Sequence, residues 1–213
     1  MKGVIFDGLH SYYEWGLILT EKELKSPDIK THTVEIEGSN GVLDFTDFFG
    51  AVKYENRQLS FKFIKTNIVP DGFLSLYSLV QETLHGKKMQ VILDDDPAFF
   101  YSGRVTVNEW KSNKNLGEIV IDVDAEPYKM KVAETVLSTG VQGSMTVKLW
   151  NSRKRVVPVI TTNAEMKIAF DGYSGTFSAG TFTIPELELH EGETTLTVTG
   201  TGNISFRYRE GGL

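Results

Sequence analysis

Residues 6–17 read FDGLHSYYEWGL and carry the clearest structural signal of this chain. A short apolar stretch is broken at Asp7-Gly8, a pair that favours a turn. Three aromatic residues, Tyr12, Tyr13 and Trp15, follow before the next glycine. Large rings left in water at a mobile terminus would be costly, so we expect an ordered strand and turn here.

Apolar and polar residues alternate with a period of two along much of the chain. Residues 59–63, 105–107 and 119–123 follow this pattern, which is typical of half-buried strands. Residues 73–85 depart from it, because their apolar residues follow a helical spacing between Pro70 and Gly86. We therefore predict one helix, at about residues 73–85, whose apolar stripe covers one face of a sheet.

The segment Glu126-Pro127-Tyr128 predicts a domain boundary, since proline removes a backbone donor from a strand ladder. We expect one β domain over residues 1–130 and a second over residues 131–213. The second half is rich in Thr, Ser and Gly, and its pattern predicts short strands with turns, one of them at Gly200–Asn203. This texture favours a β-sandwich.

The composition is that of an ordinary globular protein, with 40% hydrophobic and 23% charged residues. Disulfides and thiolate metal sites are excluded because the chain has no cysteine. No apolar run approaches the roughly 20 residues that cross a bilayer, so no membrane contact is expected. Residues 1–130 hold 14 Lys and Arg against 20 Asp and Glu, whereas residues 131–213 hold 8 of each. This balance disfavours a basic groove for nucleic acid.

Three later segments accompany the opening in a fixed order. Residues 35–44 read EIEGSNGVLD, residues 56–59 read NRQL, and residues 94–104 read DDDPAFFYSGR. Together they resemble the distal tail (Dit) proteins of long-tailed (siphovirus) bacteriophages and prophages. That family shows an F-x-G-x-x-S…W-G-L opening, a G-x-x-G-x-L-D turn, an Asn-Arg before a strand, and an aspartate-rich turn leading to Tyr-x-Gly-Arg.

The resemblance implies a mainly β fold. Its first domain would be a β-sandwich or split-barrel-like domain with one α-helix, and the second a galectin-like, carbohydrate-module-like β-sandwich. It implies a structural protein of the tail tip or baseplate, with six copies forming a ring around a channel for DNA. No catalysis and no cofactor are expected.

The partners implied by the resemblance are further copies of the chain, the tail tube protein, and a tail-associated lysin or tail-fibre-like protein. A receptor-binding protein would hang from the rim. The protein would be made in the cytoplasm of the bacterial host and lie at the tip of the virion tail. The net charge of −6 in residues 1–130 predicts a negative channel that repels DNA phosphates without binding them.

Five residues are candidates for oligomer or structural contacts. Tyr12, Tyr13 and Trp15 form either a contact surface between copies or part of the core of their own domain. Arg57 and Arg104 match the Asn-Arg and Gly-Arg elements of the family. We expect each of these arginines to anchor a buried or interface carboxylate.

No motif indicates a catalytic or metal site. The carboxylates of Asp94–Asp96 are adjacent on a strand end and point to alternate faces, so they cannot converge on one cation. The four histidines lack metal-ligand spacing, and no serine lies in a nucleophile motif.

The alternative function is sugar binding, as a carbohydrate-binding module without catalysis. Trp150 lies beside Asn151 and Arg153, a combination of residue types found in lectin sites. The spacing of galectin sites is absent, so we expect Trp150 in the core or at a domain interface. A carbohydrate-active enzyme, the third class, would need two carboxylates across a cleft, and no motif marks such a pair.

Overall fold

Strands dominate the computed structural model, which describes residues 2–48, 50–66, 70–112 and 116–213. About 58% of the residues lie in strands and 9% in helices, so the predicted mainly β fold is confirmed. The backbone divides into two units, residues up to Lys129 and Met130–Gly212. This division falls one residue before the boundary expected from the sequence.

The first unit contains nine strands and two helices among its described residues. These are β1 (Val4–Phe6), β2 (Leu9–His10), α1 (Ser11–Trp15), β3 (Ile18–Leu24), β4 (Thr33–Glu35), β5 (Val42–Asp44), β6 (Arg57–Thr66), α2 (Pro70–Leu84), β7 (Lys88–Leu93), β8 (Phe99–Ser112) and β9 (Leu116–Ala125). Seven of the strands form one antiparallel sheet in the order β2-β1-β7-β8-β9-β6-β3. One helix was predicted for this unit, and the described residues hold two.

Helix α2 packs on the sheet face that the alternation pattern buries. Val80 and Leu84 enter the same core as Phe61 and other apolar residues of the long strands β6, β8 and β9. Phe73 lies so close to β9 that a Cβ at Gly117 would overlap its ring. The helix begins at Pro70, three residues before the predicted start, because proline is tolerated in a first turn whose N–H groups lack partners.

The opening segment folds as a hairpin followed by a short helix. The turn of β1–β2 lies at Asp7-Gly8, both with positive φ. The chain then enters α1, with His10 as N-cap and Gly16 as a left-handed C-cap. The sequence pattern predicted a strand and a turn but not this helix, since five residues are too few to display a helical period.

Strands β4 and β5 form a separate two-stranded sheet. We call residues 31–48, which include this hairpin, the arm. Its base is closed by a hydrogen bond from the Phe45 N–H to the His32 carbonyl oxygen, 2.7 Å long. An isolated hairpin buries little apolar surface and is marginally stable in water.

The second unit is organised by two long strands. Its elements are β10 (Lys129–Lys131), β11 (Thr135–Asn151), β12 (Val159–Thr162), β13 (Met166–Phe170), β14 (Tyr173–Phe177), β15 (Gly180–Thr183), β16 (Gly192–Tyr208) and β17 (Gly211–Gly212). Strands β11 and β16 pair along their whole length. The other side of β16 pairs first with β13 and then with β12, which itself pairs with β15. Both parts of this sheet enclose one core.

The turn predicted at Gly200–Asn203 is wrong, because β16 continues through it. Gly200 and Gly202 have φ of 156° and 153°, which L side chains rarely adopt, and these values carry β16 from β13 to β12. A Cβ at Gly200 would lie 2.8 Å from the carbonyl oxygen of Glu165. The glycines therefore permit a change of partner rather than a reversal of direction.

Within the described ranges, no helix is both long and apolar enough to span a bilayer.

Candidate assembly surfaces

The three aromatic residues of the opening have different environments. Trp15 belongs to the core of the first unit, and its carbonyl oxygen accepts a hydrogen bond from Lys65 Nζ at 2.9 Å. Tyr12 is half-buried, whereas Tyr13 is 75% exposed and packs against the ring of His10, with centroids 4.4 Å apart. Of the three, Tyr13 presents a large surface for another chain.

The side chain of His10 links α1 to the rest of the first unit by hydrogen bonds. Its Nδ1 accepts hydrogen bonds from the N–H groups of Tyr12 and Tyr13, at 3.0 and 3.4 Å. Its Nε2 donates to Asp94 Oδ2 at 2.9 Å, and the same oxygen accepts from the Gly3 N–H at 2.7 Å. Because Nδ1 is an acceptor, the ring carries its proton on Nε2. The helix that presents Tyr13 is thus held at its N-terminus by one histidine.

We expect His10→Ala to lower the free energy of unfolding by about 2 kcal/mol, since the variant loses both the helix cap and the bond to Asp94. His10→Asn retains a capping oxygen and should lose about half as much. His190→Ala is the control, because His190 is exposed and should change stability by less than about 0.5 kcal/mol. Urea denaturation measures all three, and equal stability of His10→Ala and wild type would contradict this assignment.

The carboxylates of Asp94–Asp96 diverge. Asp94 binds His10, Asp95 binds Lys22, and Asp96 Oδ2 accepts from Lys129 Nζ at 2.7 Å. The hydrogen bond from Lys22 is the main reason that the pKa of Asp95 lies below its ordinary value. Among the residues that the structure describes, no three His, Asp or Glu side chains are grouped to hold a metal ion.

Arg57 is a buried cation whose described partners are neutral. It is 7% exposed, and its Nε donates to the Lys25 carbonyl oxygen at 2.9 Å. Its Nη1 lies 3.5 Å from the Pro127 carbonyl oxygen, and the guanidinium lies 5.1 Å from the ring centre of Tyr101. The carboxylate expected for this arginine is not among these contacts.

Arg104 is exposed on β8, with Lys88 and Asp124 opposite it on the neighbouring strands. Its Nη1 donates to the carbonyl oxygen of Gly86, just after the end of α2. This contact satisfies a carbonyl at a helix end, as cationic side chains often do. The described acceptor of Arg104 is therefore also a carbonyl rather than a carboxylate.

The arm exposes both apolar and acidic side chains. Val34, Ile36, Val42 and Leu43 each leave about half of their surface exposed. Residues 31–48 also contain four carboxylates and no Lys or Arg. The arm thus carries four of the six net negative charges of residues 1–130, and the remainder of that segment carries two. Sequence reasoning recognised the G-x-x-G-x-L-D turn of this segment but not its exposure.

Trp150 lies on the outer face of the second unit. The core position expected for it is wrong, because its side chain is 63% exposed. Leu149 faces the core, and successive residues of a strand point to opposite faces. Its neighbour Asn151 is buried, and its Nδ2 donates to the carbonyl oxygens of Lys154 and Leu189. Asn151 therefore belongs to the interior and does not join Trp150 in a sugar site.

No protein-family model matches the chain. No curated protein matches it either. Among solved structures, the chain is similar to SPP1 Dit (gp 19.1), described as a paradigm of the hub of the adsorption apparatus in phages that infect Gram-positive bacteria. The TM-score is 0.70 at 16% identity, covering 98% of this chain and 99% of that chain.

This chain has the fold of a phage distal tail protein. The family resemblance inferred from the opening and the later motifs is confirmed at the level of the fold. The phage P2 baseplate in its activated conformation also matches, with a TM-score of 0.36 at 7% identity, covering 90% of this chain and 91% of that chain.

Within this distal tail fold, Glu210 is a buried carboxylate that sequence reasoning missed. It is 4% exposed, and Oε1 accepts from Lys131 Nζ at 2.7 Å and from Thr135 Oγ1 at 2.6 Å. Ser152 Oγ donates to Oε2 at 2.7 Å. No motif could have marked this site, because its donors come from three segments that lie far from Glu210 in the sequence.

Proposed function

We propose that this chain is a structural hub protein of a phage tail tip, and that six copies form a ring. The observation that carries the proposal is the fold, which matches that of SPP1 Dit over almost the whole of both chains. The ordered motifs of residues 6–104 support it independently, since they were recognised without the structure. The role is architectural and requires no reacting group.

The exposed apolar surface of the arm favours association between copies of the chain. Exposed apolar patches mark interaction sites, and the two-stranded sheet of the arm has no layer packed on it among the described residues. A neighbouring copy would cover this surface. If every arm docks on the next copy, the contact is head-to-tail, and it forms a ring when the rotation between neighbouring copies closes.

The proposed ring has the tail tube protein on one side and a tail-associated lysin or tail-fibre-like protein on the other, with a receptor-binding protein at the rim. DNA passes through the channel without specific binding. This passage requires a channel wall without strong positive charge, because lysine and arginine would hold phosphates. A strongly basic wall in an assembled ring would contradict it.

Immunogold labelling tests the location. Antibodies raised against the purified chain should label intact phage particles at the distal end of the tail. Labelling of the head, or along the length of the tail tube, would overturn the proposed place in the virion.

Sugar binding remains a second candidate because of one observation, the exposure of Trp150. An ion pair lies on the same face, with Lys148 Nζ 2.9 Å from Glu193 Oε1. Glu193 pairs with Trp150 across the two strands, and Lys148 precedes Trp150 by two residues on the same strand. An aromatic ring beside charged hydrogen-bonding groups suits a pyranose.

If this candidate is right, the chain binds at least one member of a panel of methyl glycosides. Trp150→Ala should then weaken binding by at least about tenfold, the value of one lost stacking contact. Trp150→Phe should restore part of the affinity. Calorimetry measures all three, and an absence of heat with every glycoside would remove the candidate.

A further inference from the structure

We infer that Arg57 of one copy binds a carboxylate from the Glu35–Glu37 segment of the arm of the neighbouring copy. This inference rests on the proposed ring and names the charged contact that orients the arm.

Arg57 has no counter-ion among the described residues of its own chain. No carboxylate oxygen of the described residues lies within 4.0 Å of its guanidinium, and its hydrogen bonds go to the carbonyl oxygens of Lys25 and Pro127. A guanidinium has five N–H donors, so most of its capacity is unused. A buried charge without a counter-ion is destabilising, which favours a carboxylate supplied from outside the chain.

The unused donors of Arg57 can be reached. Its Nη2 makes no hydrogen bond with the described residues. It is not among the fully enclosed side-chain atoms without a partner, which are Asp122 Oδ1 and Asn151 Oδ1 in the described residues, so it keeps a small contact with solvent although Arg57 is 7% exposed.

The arm carries the complementary groups. Asp44 is already engaged, because the N–H of Thr46 donates to it at 2.9 Å and its hydrogen bonds with Thr46 lower its pKa. Glu35 and Glu37 are exposed and form no ion pair within the described part of the chain. They alternate with the exposed Val34 and Ile36, and within β4 the side chains of Val34 and Glu35 point to opposite faces, so the arm exposes apolar and acidic groups on different faces.

The opposite charges of these two sites decide the register of the contact. Every copy carries both Arg57 and the carboxylates of Glu35 and Glu37, as a head-to-tail contact requires. Charge pairs across an interface fix its orientation and exclude wrong partners. Each arm would insert its apolar residues against the neighbour while Arg57 sets its position.

The first test compares two pairs of charge-neutral substitutions. Glu35→Gln with Glu37→Gln should raise the concentration at half-assembly at least tenfold. Glu186→Gln with Glu191→Gln is the matched control, because these exposed glutamates lie in the second unit and should change assembly less than about twofold. Equal assembly of the two variants would overturn the inference.

The second test does not require Arg57 to be altered. The chain has no cysteine, so copies with Glu37→Cys can be mixed with copies with Asn56→Cys, next to Arg57, and oxidised. A disulfide-linked heterodimer is expected from this mixture, and none from Glu37→Cys mixed with Glu191→Cys.

The outcomes separate the inference from the ring. If the wild type forms rings but the Glu37→Cys and Asn56→Cys copies do not cross-link, the inference is wrong and the ring stands. If the wild type remains monomeric, the ring is wrong and the inference fails with it.

Discussion

Replacing Thr33–Asp44 of the arm with an Asn-Gly turn is expected to abolish assembly and leave a folded monomer. The turn can close because the Phe45 N–H already donates to the His32 carbonyl oxygen at 2.7 Å, the spacing of a two-residue hairpin. The removed residues belong to neither core. The melting temperature should therefore change by no more than about 2 °C, while rings are lost at concentrations up to about 100-fold above those that assemble the wild type.

Sedimentation velocity measures the assembly and calorimetry the melting. A companion variant keeps the hairpin but replaces its exposed apolar residues with threonine, which also favours strands. It carries Val34→Thr, Ile36→Thr, Val42→Thr and Leu43→Thr, and it should assemble as poorly as the truncation. Val132→Thr with Val136→Thr removes exposed apolar surface from the second unit and should assemble normally. Rings formed by the truncated chain would contradict the role of the arm.

Glu210→Ala is expected to lower the free energy of unfolding of the second unit by about 3 kcal/mol. The substitution leaves Thr135 and Ser152 without their acceptor and Lys131 without its counter-ion. This decrease in the free energy of unfolding should lie at the low end of the range for breaking a buried ion pair, since Lys131 retains contact with water. The control is Glu188→Ala, whose exposed pair with Arg155 should contribute less than about 1 kcal/mol.

The same carboxylate makes stability depend on pH. Burial alone would raise the pKa of Glu210, but hydrogen bonds from Lys131, Thr135 and Ser152 outweigh it and hold the pKa below its ordinary value of 4.5. A group with a lowered pKa contributes fully above the ordinary value and loses its contribution as the pH falls through the lowered one. Wild type should therefore lose stability below pH 4.5 more steeply than Glu210→Ala. Parallel curves in guanidinium titrations would contradict this assignment.

The sequence predicted the elements whose pattern is local. Helix α2 shows a complete helical stripe between Pro70 and Gly86, and β6 and β9 show a regular alternation. Each of these signals repeats within one element, so the neighbours in space were not needed to recognise it.

The missed features depend on contacts that are distant in sequence. Helix α1 is specified by a histidine cap and by Asp94 rather than by a period. The glycines at 200 and 202 look like a turn, but their backbone angles keep β16 extended between two partner strands. In each case the local pattern was ambiguous and tertiary pairing decided the outcome.

The contact roles of the candidate residues stay predictions. The sequence singled out Arg57 and Tyr13, and the structure leaves Tyr13 75% exposed but buries Arg57, which is 7% exposed. It could not show that the arm is exposed, because alternation of apolar and polar residues in Val34–Glu37 is equally typical of a half-buried strand. The core alternative for Trp150 is wrong for the related reason that a single aromatic residue at a strand end does not reveal which face it takes, and the domain-interface alternative stays a prediction.

The molar mass of the purified chain in solution tests the central claim most directly. Light scattering across a range of concentrations should give about six times the chain mass of 23.8 kDa. A mass that stays at one chain at the highest soluble concentration would contradict a self-assembling ring.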